Sequence, residues 1–341
     1  MAYITDKENI KILVTGANGF IGSNLCKHLS SLNFFVRGMA LTGTSVENIS
    51  GVVNEIVFAD ITKPASLKNS LSGITHVFHL AALASDWGSI HLHLKVNTGG
   101  TKNLLEASAQ AGAKRFLYVS SLAIHKLNGH DGSDENLIAD SMINAYAISK
   151  RESEILVNGF FRKKIIETVI VRPGFFPFGP GDTTSFIHLA VAISKGKFAL
   201  INSGKAKIST AFIENLVEGI TLAGFHPKAS GETFIICDDD PVSWKQIAVD
   251  IAEKLKAGNK FLSVPFKFAF IVAAIFELLW KVQNKKSPPP LTKYRVSVPR
   301  KNLIFSNKKA KIVLGYSPLV NWENGLAKTM NWYSDYLSKK L

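Results

Sequence analysis

The sequence predicts an α/β fold: a doubly wound parallel sheet with helices on both faces, joined to a smaller, mainly helical lobe toward the C-terminus. Three observations carry this. Short β-branched runs alternate with longer stretches of helical apolar spacing through the first 120 residues. The first such run stops at a glycine cluster that opens the first helical stretch. At 341 residues, 46% hydrophobic and 19% charged, the chain is long enough for a large α/β unit plus a smaller one, and apolar enough to fill both.

Taken in order, KILVTG (11–16) is a strand ending in glycine, and FIGSNLCKHLSSL (20–32) has the spacing of an amphipathic helix. FFVRGMAL (34–41), EIVFAD (55–60) and ITHVFHLAA (74–82) are strands, the last entering a turn of small residues. NTGGTKNLLEASAQAG (97–112) is a helix with Asn97 as its candidate N-cap, and KRFLYVSS (114–121) is the next strand. Further strands are expected at 166–174 and 232–238, with helices near 185–195 and 214–224 between them. Repeated strand–helix alternation implies right-handed βαβ units, hence a Rossmann-type sheet. The expected division is a nucleotide-binding domain over 1–173, completed by parts of 205–240, with 174–204 and 241–341 forming a substrate lobe.

Composition narrows the function. Cys26 and Cys237 are far apart and form neither a CxxC pair nor a disulfide framework. The N-terminal stretch holds Asp6 and Glu8 and no apolar run, so no signal peptide is expected and a cytoplasmic location is. Of the net charge of +14, residues 281–341 supply most, with 13 Lys or Arg against Glu323 and Asp335. No recognition-helix, RRM or zinc pattern accompanies that charge, so nucleic acid is not an expected partner. VPFKFAFIVAAIFELLWKV (264–282) is strongly apolar, yet Lys267 and Glu277 bracket only nine uncharged residues. That is well short of the ~20 needed to span a bilayer. The segment 264–286, with Lys281, Lys285 and Lys286, is instead a candidate for peripheral contact with anionic headgroups on the cytoplasmic face of a membrane.

The glycine turn carries the first chemistry. TGANGFIG (15–22) places Gly16, Gly19 and Gly22 between the first strand and the first helix. Such glycines permit a tight turn, a close approach of backbone to pyrophosphate and close helix–strand packing, while the helix N-terminus offers N–H groups to the phosphates. Asn18, Phe20 and Ile21 belong to the same cradle. Asp60, with Ile61 after it, closes a strand where a carboxylate can accept from the adenine amine. Ala81 and Ala82 are small enough to let the chain pass beside a cofactor. The end of the second strand, Ala40–Leu41–Thr42, carries neither acid nor base, and Arg37 lies earlier, so NAD is favoured only slightly over NADP.

Tyr146 and Lys150 form a YxxxK pair, which shares one helix face. The lysine is expected to lower the phenol pKa and to hold nicotinamide ribose hydroxyls, leaving tyrosine to act as general base or acid. Tyr3/Lys7 and Tyr336/Lys340 repeat the spacing, but only Tyr146 follows a strand ending in two serines, Ser120 and Ser121. A serine there can stabilise charge on a substrate oxygen.

TGANGFIG, VFADI, VFHLAA, VNTGGTKNLLEA, RFLYVSS, YAISK and VIVRPG occur in an order that resembles the extended short-chain dehydrogenase/reductase family, also called the NAD-dependent epimerase/dehydratase family. The resemblance extends to FIENLVEGI (212–220) and KAKIVLGYSP (309–318). It implies catalytic roles for Ser121, Tyr146 and Lys150, a place for Asn97 near the active site, and Pro173 lining the nicotinamide. Phe175, Phe176 and Phe178 stand where the nucleotide-sugar branch usually has an asparagine, so Phe175 and Phe176 become candidate substrate contacts. The look is closest to the 3β-hydroxysteroid and sterol-carboxylate dehydrogenase branch. The expected function is NAD(P)-dependent hydride transfer at the secondary alcohol or ketone of an apolar, sterol-like small molecule. The alternatives are a nucleotide-sugar epimerase or dehydratase and a non-catalytic NAD(P)-binding structural protein. A homodimer is a further candidate assembly. No HExxH, Walker A or GxSxG is present, and His91 and His93 lack a third ligand, so no metal is expected.

Overall fold

The computed structural model of the chain describes residues 7–137 and 142–338. Seven strands form one sheet: β1 (Lys11–Thr15), β2 (Phe35–Ala40), β3 (Glu55–Phe58), β4 (His76–His79), β5 (Arg115–Val119), β6 (Glu167–Pro173) and β7 (Thr233–Ile236). Their spatial order is β7-β6-β5-β4-β1-β2-β3 and all six pairings are parallel. The order reverses between β1 and β4, which pair with Thr15 opposite His79. In such a sheet the crevice beyond the strand ends at that reversal is where ligands bind.

Both faces of the sheet are covered, as parallel strands require. Side chains alternate along each strand. Ile12 and Val14 of β1, Val119 of β5 and Val171 of β6 pack with Leu25 and Leu29 of α1 (Phe20–Ser31) on one side. Leu13, Phe116, Tyr118 and Ile170 from the same strands pack on the other, against Leu104 and Leu105 of α2 (Gly100–Gln110) and Val157 of α3 (Ala145–Arg162). The helix α4 (Ile213–Phe225) joins the first face through Leu216 and Ile220. Each such fully buried Leu, Ile or Phe contributes about 1.5–3 kcal/mol.

Smaller sheets lie beyond the central one. One has four strands, drawn from 130–133, 207–208, 242–243 and 303–305. Two are pairs, 176–178 with 210–212 and 199–201 with 262–264. The apolar segment forms the 17-residue helix α5 (Phe266–Val282). No helix among the described residues is long and apolar enough to cross a membrane.

Two sequence expectations change here. Asn97 is not an N-cap. The helix begins earlier, at Ile90, where the Ser89 hydroxyl accepts from the Leu92 N–H at 3.2 Å. It passes through a π-helical stretch, Leu94–Gly99, before continuing as α2. Phe176 and Phe178 are taken up by the core: their rings stack at 6.0 Å, and Phe178 also packs on Phe212 and Trp322. The candidate substrate contact Phe176 is therefore buried, leaving Phe175, half-buried and 6.5 Å from the Phe305 ring, as the accessible one.

Candidate active site

The glycine turn joins β1 to α1 at the reversal point. Gly16 has φ +65°, and a Cβ there would sit 2.9 Å from the Ala81 nitrogen. A Cβ on Gly22 would sit 2.1 Å from the Gly16 carbonyl oxygen. The chain's own packing therefore demands both glycines. Gly19 differs. It is the N-cap residue of α1 with ordinary extended angles, φ −77° and ψ 173°, and a Cβ would meet just the Gly16 oxygen, at 3.2 Å. Its backbone conformation suits any residue, and a Cβ would need the Gly16 oxygen to give by only a few tenths of an ångström. What the missing side chain preserves is open space at the head of α1, where unpaired N–H groups and the helix dipole favour an anion.

A buried polar bridge holds the loop after β4 beside that turn. The Thr15 hydroxyl lies 2.7 Å from His79 Nδ1 and accepts from the N–H groups of Leu80 and Ala81 at 3.2 and 3.1 Å. His79 Nε2 lies 2.9 Å from the Thr101 hydroxyl. Burial, aided by the nearby Lys150 charge, pushes the His79 pKa down to about 3, so the bridge is neutral. Asn18 is committed to the neighbouring loop through Thr44 Oγ1 and the Ser45 carbonyl, both at 2.9 Å. Phe20 and Ile21 rest partly buried on the core. Asp60 turns its Oδ1 onto the Thr62 N–H and hydroxyl at 2.9 and 2.8 Å. Burial alone would raise its pKa, but these bonds, with Lys63 and Lys95, hold it below the usual value. Ile61 is buried against Gly100, and its carbonyl accepts from Asn103 at 2.9 Å. Pro173 closes β6 opposite Ile236.

Ser121, Tyr146 and Lys150 come together beyond β5. Asn144 caps α3, its Oδ1 accepting from the Ala147 N–H at 2.8 Å, and so fixes where Tyr146 stands in the first turn. The Ser121 hydroxyl accepts from the Ala123 N–H at 3.1 Å and is near enough to Tyr146 to draw its pKa downward. Lys150, 3% exposed, donates to the Val119 carbonyl at 2.8 Å, and its Nζ lies 4.7 Å from the centre of the Tyr118 ring and 5.9 Å from that of Tyr146. The expected lowering of the phenol pKa is not found. Burial pushes Tyr146 up to about 12, against the pull of Ser121. Burial also pushes Lys150 down to about 7, although the Glu154 carboxylate supports its charge. The ammonium is nearer Tyr118 than Tyr146 and is itself desolvated, which explains its weak effect on the phenol. Lys150 has donors to spare beyond the one given to Val119, so it can hold the hydroxyls of a ribose.

Asn97 joins this cluster from the π-helical stretch. Its Nδ2 donates to Ser149 Oγ at 2.8 Å and its Oδ1 accepts from the Leu83 N–H at 2.7 Å. Ser149 in turn donates to the Tyr146 carbonyl at 2.8 Å. Tyr336 lies away on the C-terminal helix, its ring 5.4 Å from Trp332; Tyr3 and Lys340 lie outside the described residues. His91 and His93 lie on a helical turn, and the His93 ring nitrogens lie 3.0 Å from the carbonyl oxygens of Ser89 and Ser85.

Residues 12–237 match the NAD dependent epimerase/dehydratase family. The chain belongs to that family. A 2-alkyl-3-oxoalkanoate reductase of Stenotrophomonas maltophilia is 27% identical over 94% of this chain and 98% of its own length. A 3-beta-hydroxysteroid dehydrogenase of Mycolicibacterium neoaurum is 28% identical over 95% of this chain and 92% of its own. Among solved structures, the UDP-glucose 4-epimerase of Thermotoga maritima superposes with a TM-score of 0.79 at 23% identity, covering 96% of this chain and all of that one, a likeness of fold. The family is one of NAD-dependent enzymes.

Sequence reasoning missed Tyr118, Glu154 and Arg172. Arg172 is 2% exposed and forks onto Glu154 at 2.9 and 2.7 Å, while its Nη1 donates to the Glu135 carbonyl at 2.7 Å. Glu154 is one turn beyond Lys150 on α3, so the ion pair ties the lysine helix to β6. The signal was legible as K-x-x-x-E, but its arginine partner is 18 residues away in sequence. Glu154→Gln is expected to cost about 3–5 kcal/mol of stability, by leaving Arg172 buried without a counter-charge. Urea unfolding checks this: a loss below about 1 kcal/mol, the level of an exposed pair, would mean the pair is solvated in solution.

Proposed function

We propose that this family member reduces a ketone, or oxidises the corresponding secondary alcohol, on an apolar small molecule, with Ser121, Tyr146 and Lys150 as its catalytic residues. The observation that carries this reading is a cavity of about 530 Å³ between the segment after Ser121 and the one leading into α3. Leu127, Met142, Ile143, Phe266 and Phe270 give it apolar walls, and Lys126, Asn128, Ser297 and Arg300 complete its lining. Its histidine, His125, is held neutral by burial and by Arg172, with a pKa down to about 3. No carboxylate lines it among the described residues. The apolar walls suit a hydrocarbon skeleton, and the cations Lys126 and Arg300 would suit an acidic group carried on it. The two relatives named above carry, in their names, an oxoalkanoate and a hydroxysteroid, both apolar skeletons bearing a ketone or secondary alcohol.

The bound nicotinamide nucleotide supplies the hydride donor or acceptor. Gly16, Gly19 and Gly22, with Asn18, Phe20 and Ile21, would form the pyrophosphate cradle. Asp60, Ile61, Ala81, Ala82 and Pro173 would border the adenine and nicotinamide ends. Lys150 would orient the ribose, and Ser121 would hold the substrate oxygen within reach of Tyr146. A phenol near 12 is a protonated donor at neutral pH, which suits the reductive direction. NAD is favoured over NADP because Arg37 is engaged elsewhere: it pairs with Glu55 at 2.5 Å and donates to the Ser70 and Ser72 carbonyls at 3.0 and 2.8 Å.

A substrate screen tests the reading. Steroid ketones, 2-alkyl-3-oxo acids and UDP-sugars are offered with reduced cofactor, following its absorbance and, for the sugars, product formation by NMR, since an epimerase returns the hydride to its sugar. Turnover is expected with an apolar ketone and not with UDP-sugars. Epimerised sugar with inert ketones would overturn the proposal.

A further inference from the structure

The helix α5 has two unlike faces. Ala269 and Ala273 are buried against Val296, and Phe266 and Phe270 line the cavity they share with Leu127, Met142 and Ile143. The opposite side is an apolar stripe open to solvent: Phe268, Ile271, Ile275, Leu278, Leu279 and Val282, between 45% and 77% exposed. Their spacing, i, i+3, i+7, i+10, i+11 and i+14, puts all six within about 100° of the helix circumference, at 3.6 residues per turn. An exposed stripe of this size marks an interaction surface.

The charges around the stripe say what covers it. Lys267, Lys281, Lys285 and Lys286 are exposed beside or just beyond it. The one acid of the helix, Glu277, is neutralised on the inner side, where Lys293 pairs with it at 3.3 Å and its backbone N–H donates at 2.8 Å. Trp280 sits at the C-terminal end with the Lys285 ammonium 4.2 Å above its ring. The turn beyond is tethered to the body by Trp87, which donates to the Lys285 carbonyl at 3.3 Å. A second copy of the chain would bring lysines against lysines, a repulsive match. An anionic bilayer surface fits both features: apolar side chains enter the acyl boundary while lysines reach headgroup phosphates and a tryptophan lies at the interface.

We infer that α5 docks the protein on an anionic membrane surface through this stripe, lying in the plane of the interface. The same helix then presents its inner phenylalanines to the cavity, so a membrane-dissolved substrate would meet the enzyme at the helix that walls its site; that last role rests on the function proposed above.

The test is flotation of the full chain with vesicles of phosphatidylcholine alone and of phosphatidylcholine with phosphatidylserine, without substrate. Binding is expected to the mixed vesicles, weak to the neutral ones, and to fall with added salt. Ile271→Ser/Ile275→Ser/Leu278→Ser should reduce it by about tenfold or more, since the interface holds such a helix by its apolar side chains. Lys281→Gln/Lys285→Gln/Lys286→Gln should remove the preference for anionic vesicles while leaving the stripe intact. All six positions are exposed, and circular dichroism verifies that each variant is folded. Equal flotation of the parent and serine variants would overturn the inference, as would no flotation of the parent. A dimer in light scattering that the serine variant dissolves, without vesicle binding, would make the face a self-interface and overturn it too. Because flotation is scored without turnover, its failure leaves the ketone reading standing, and a failed ketone screen leaves flotation standing.

Discussion

Replacing Tyr146 with phenylalanine is expected to lower turnover on the order of 10²–10⁴-fold while leaving cofactor affinity nearly unchanged. The substitution removes the proton donor and keeps the ring. The phenol, raised to about 12 by burial, is protonated throughout the neutral range and so ready to deliver its proton to a ketone oxygen. Lys150, lowered to about 7, is the group that titrates there. Below pH about 7 it is the ammonium, a charge-assisted donor to the ribose hydroxyls it is proposed to hold; above, it is neutral and a weaker one. Reductive kcat/KM is therefore expected to hold on the acid side of that value and fall on the alkaline side. Weakening the Glu154 charge should move the limb to lower pH, because that carboxylate supports the ammonium. Ser121→Ala should lower turnover with little effect on cofactor binding, and Tyr336→Phe should do nothing. Near-normal turnover by the Tyr146→Phe protein would end this mechanism.

How far the sequence revealed the site depends on how local each signal was. The strands of the central sheet were visible because parallel strands buried on both faces are nearly continuous apolar runs, as in KILVT and RFLYV. The glycine turn and the YxxxK pair were visible because each is contained in one turn of chain. What stayed hidden depends on distant partners. The Arg172–Glu154 pair links two elements 18 residues apart, and neither residue is unusual alone. The onset of the helix before Asn97 was obscured because HLHLKVN, with polar residues every second position, mimics a strand. The pKa values turned on desolvation, which spacing cannot report: the lysine that was expected to acidify Tyr146 is itself buried under Tyr118. Phe176 and Phe178 looked like pocket walls because apolarity is shared by pocket and core. The apolar walls of the cavity proposed for the substrate come instead from Leu127, Met142 and Ile143, and from Phe266 and Phe270 of α5.

The glycine turn offers a second large effect, and its three glycines should fail in different ways. Gly22→Val puts a branched side chain where even a Cβ would lie 2.1 Å from the Gly16 oxygen, a backbone atom that cannot yield without moving β1 or α1. Gly16→Val adds a strained left-handed conformation, φ +65°, to a contact of 2.9 Å with Ala81. Both are expected to destabilise the fold, by about 1–3 kcal/mol or more for overpacking of this kind. Gly19→Val should cost much less, since its angles suit any residue and a Cβ at 3.2 Å asks the Gly16 oxygen to give by only a few tenths of an ångström, against the gross overlap at Gly22. Its side chain would project instead into the space at the head of α1. The variant is therefore expected to melt close to the parent and yet to have lost nucleotide binding, measured by calorimetry with NAD and NADP. This separation of stability from affinity is the decisive feature. A Gly19→Val protein that folds and binds cofactor as the parent does would mean that the pyrophosphate lies elsewhere. One that unfolds like Gly22→Val would mean that Gly19 serves packing, and that the open space before α1 is no evidence of a ligand.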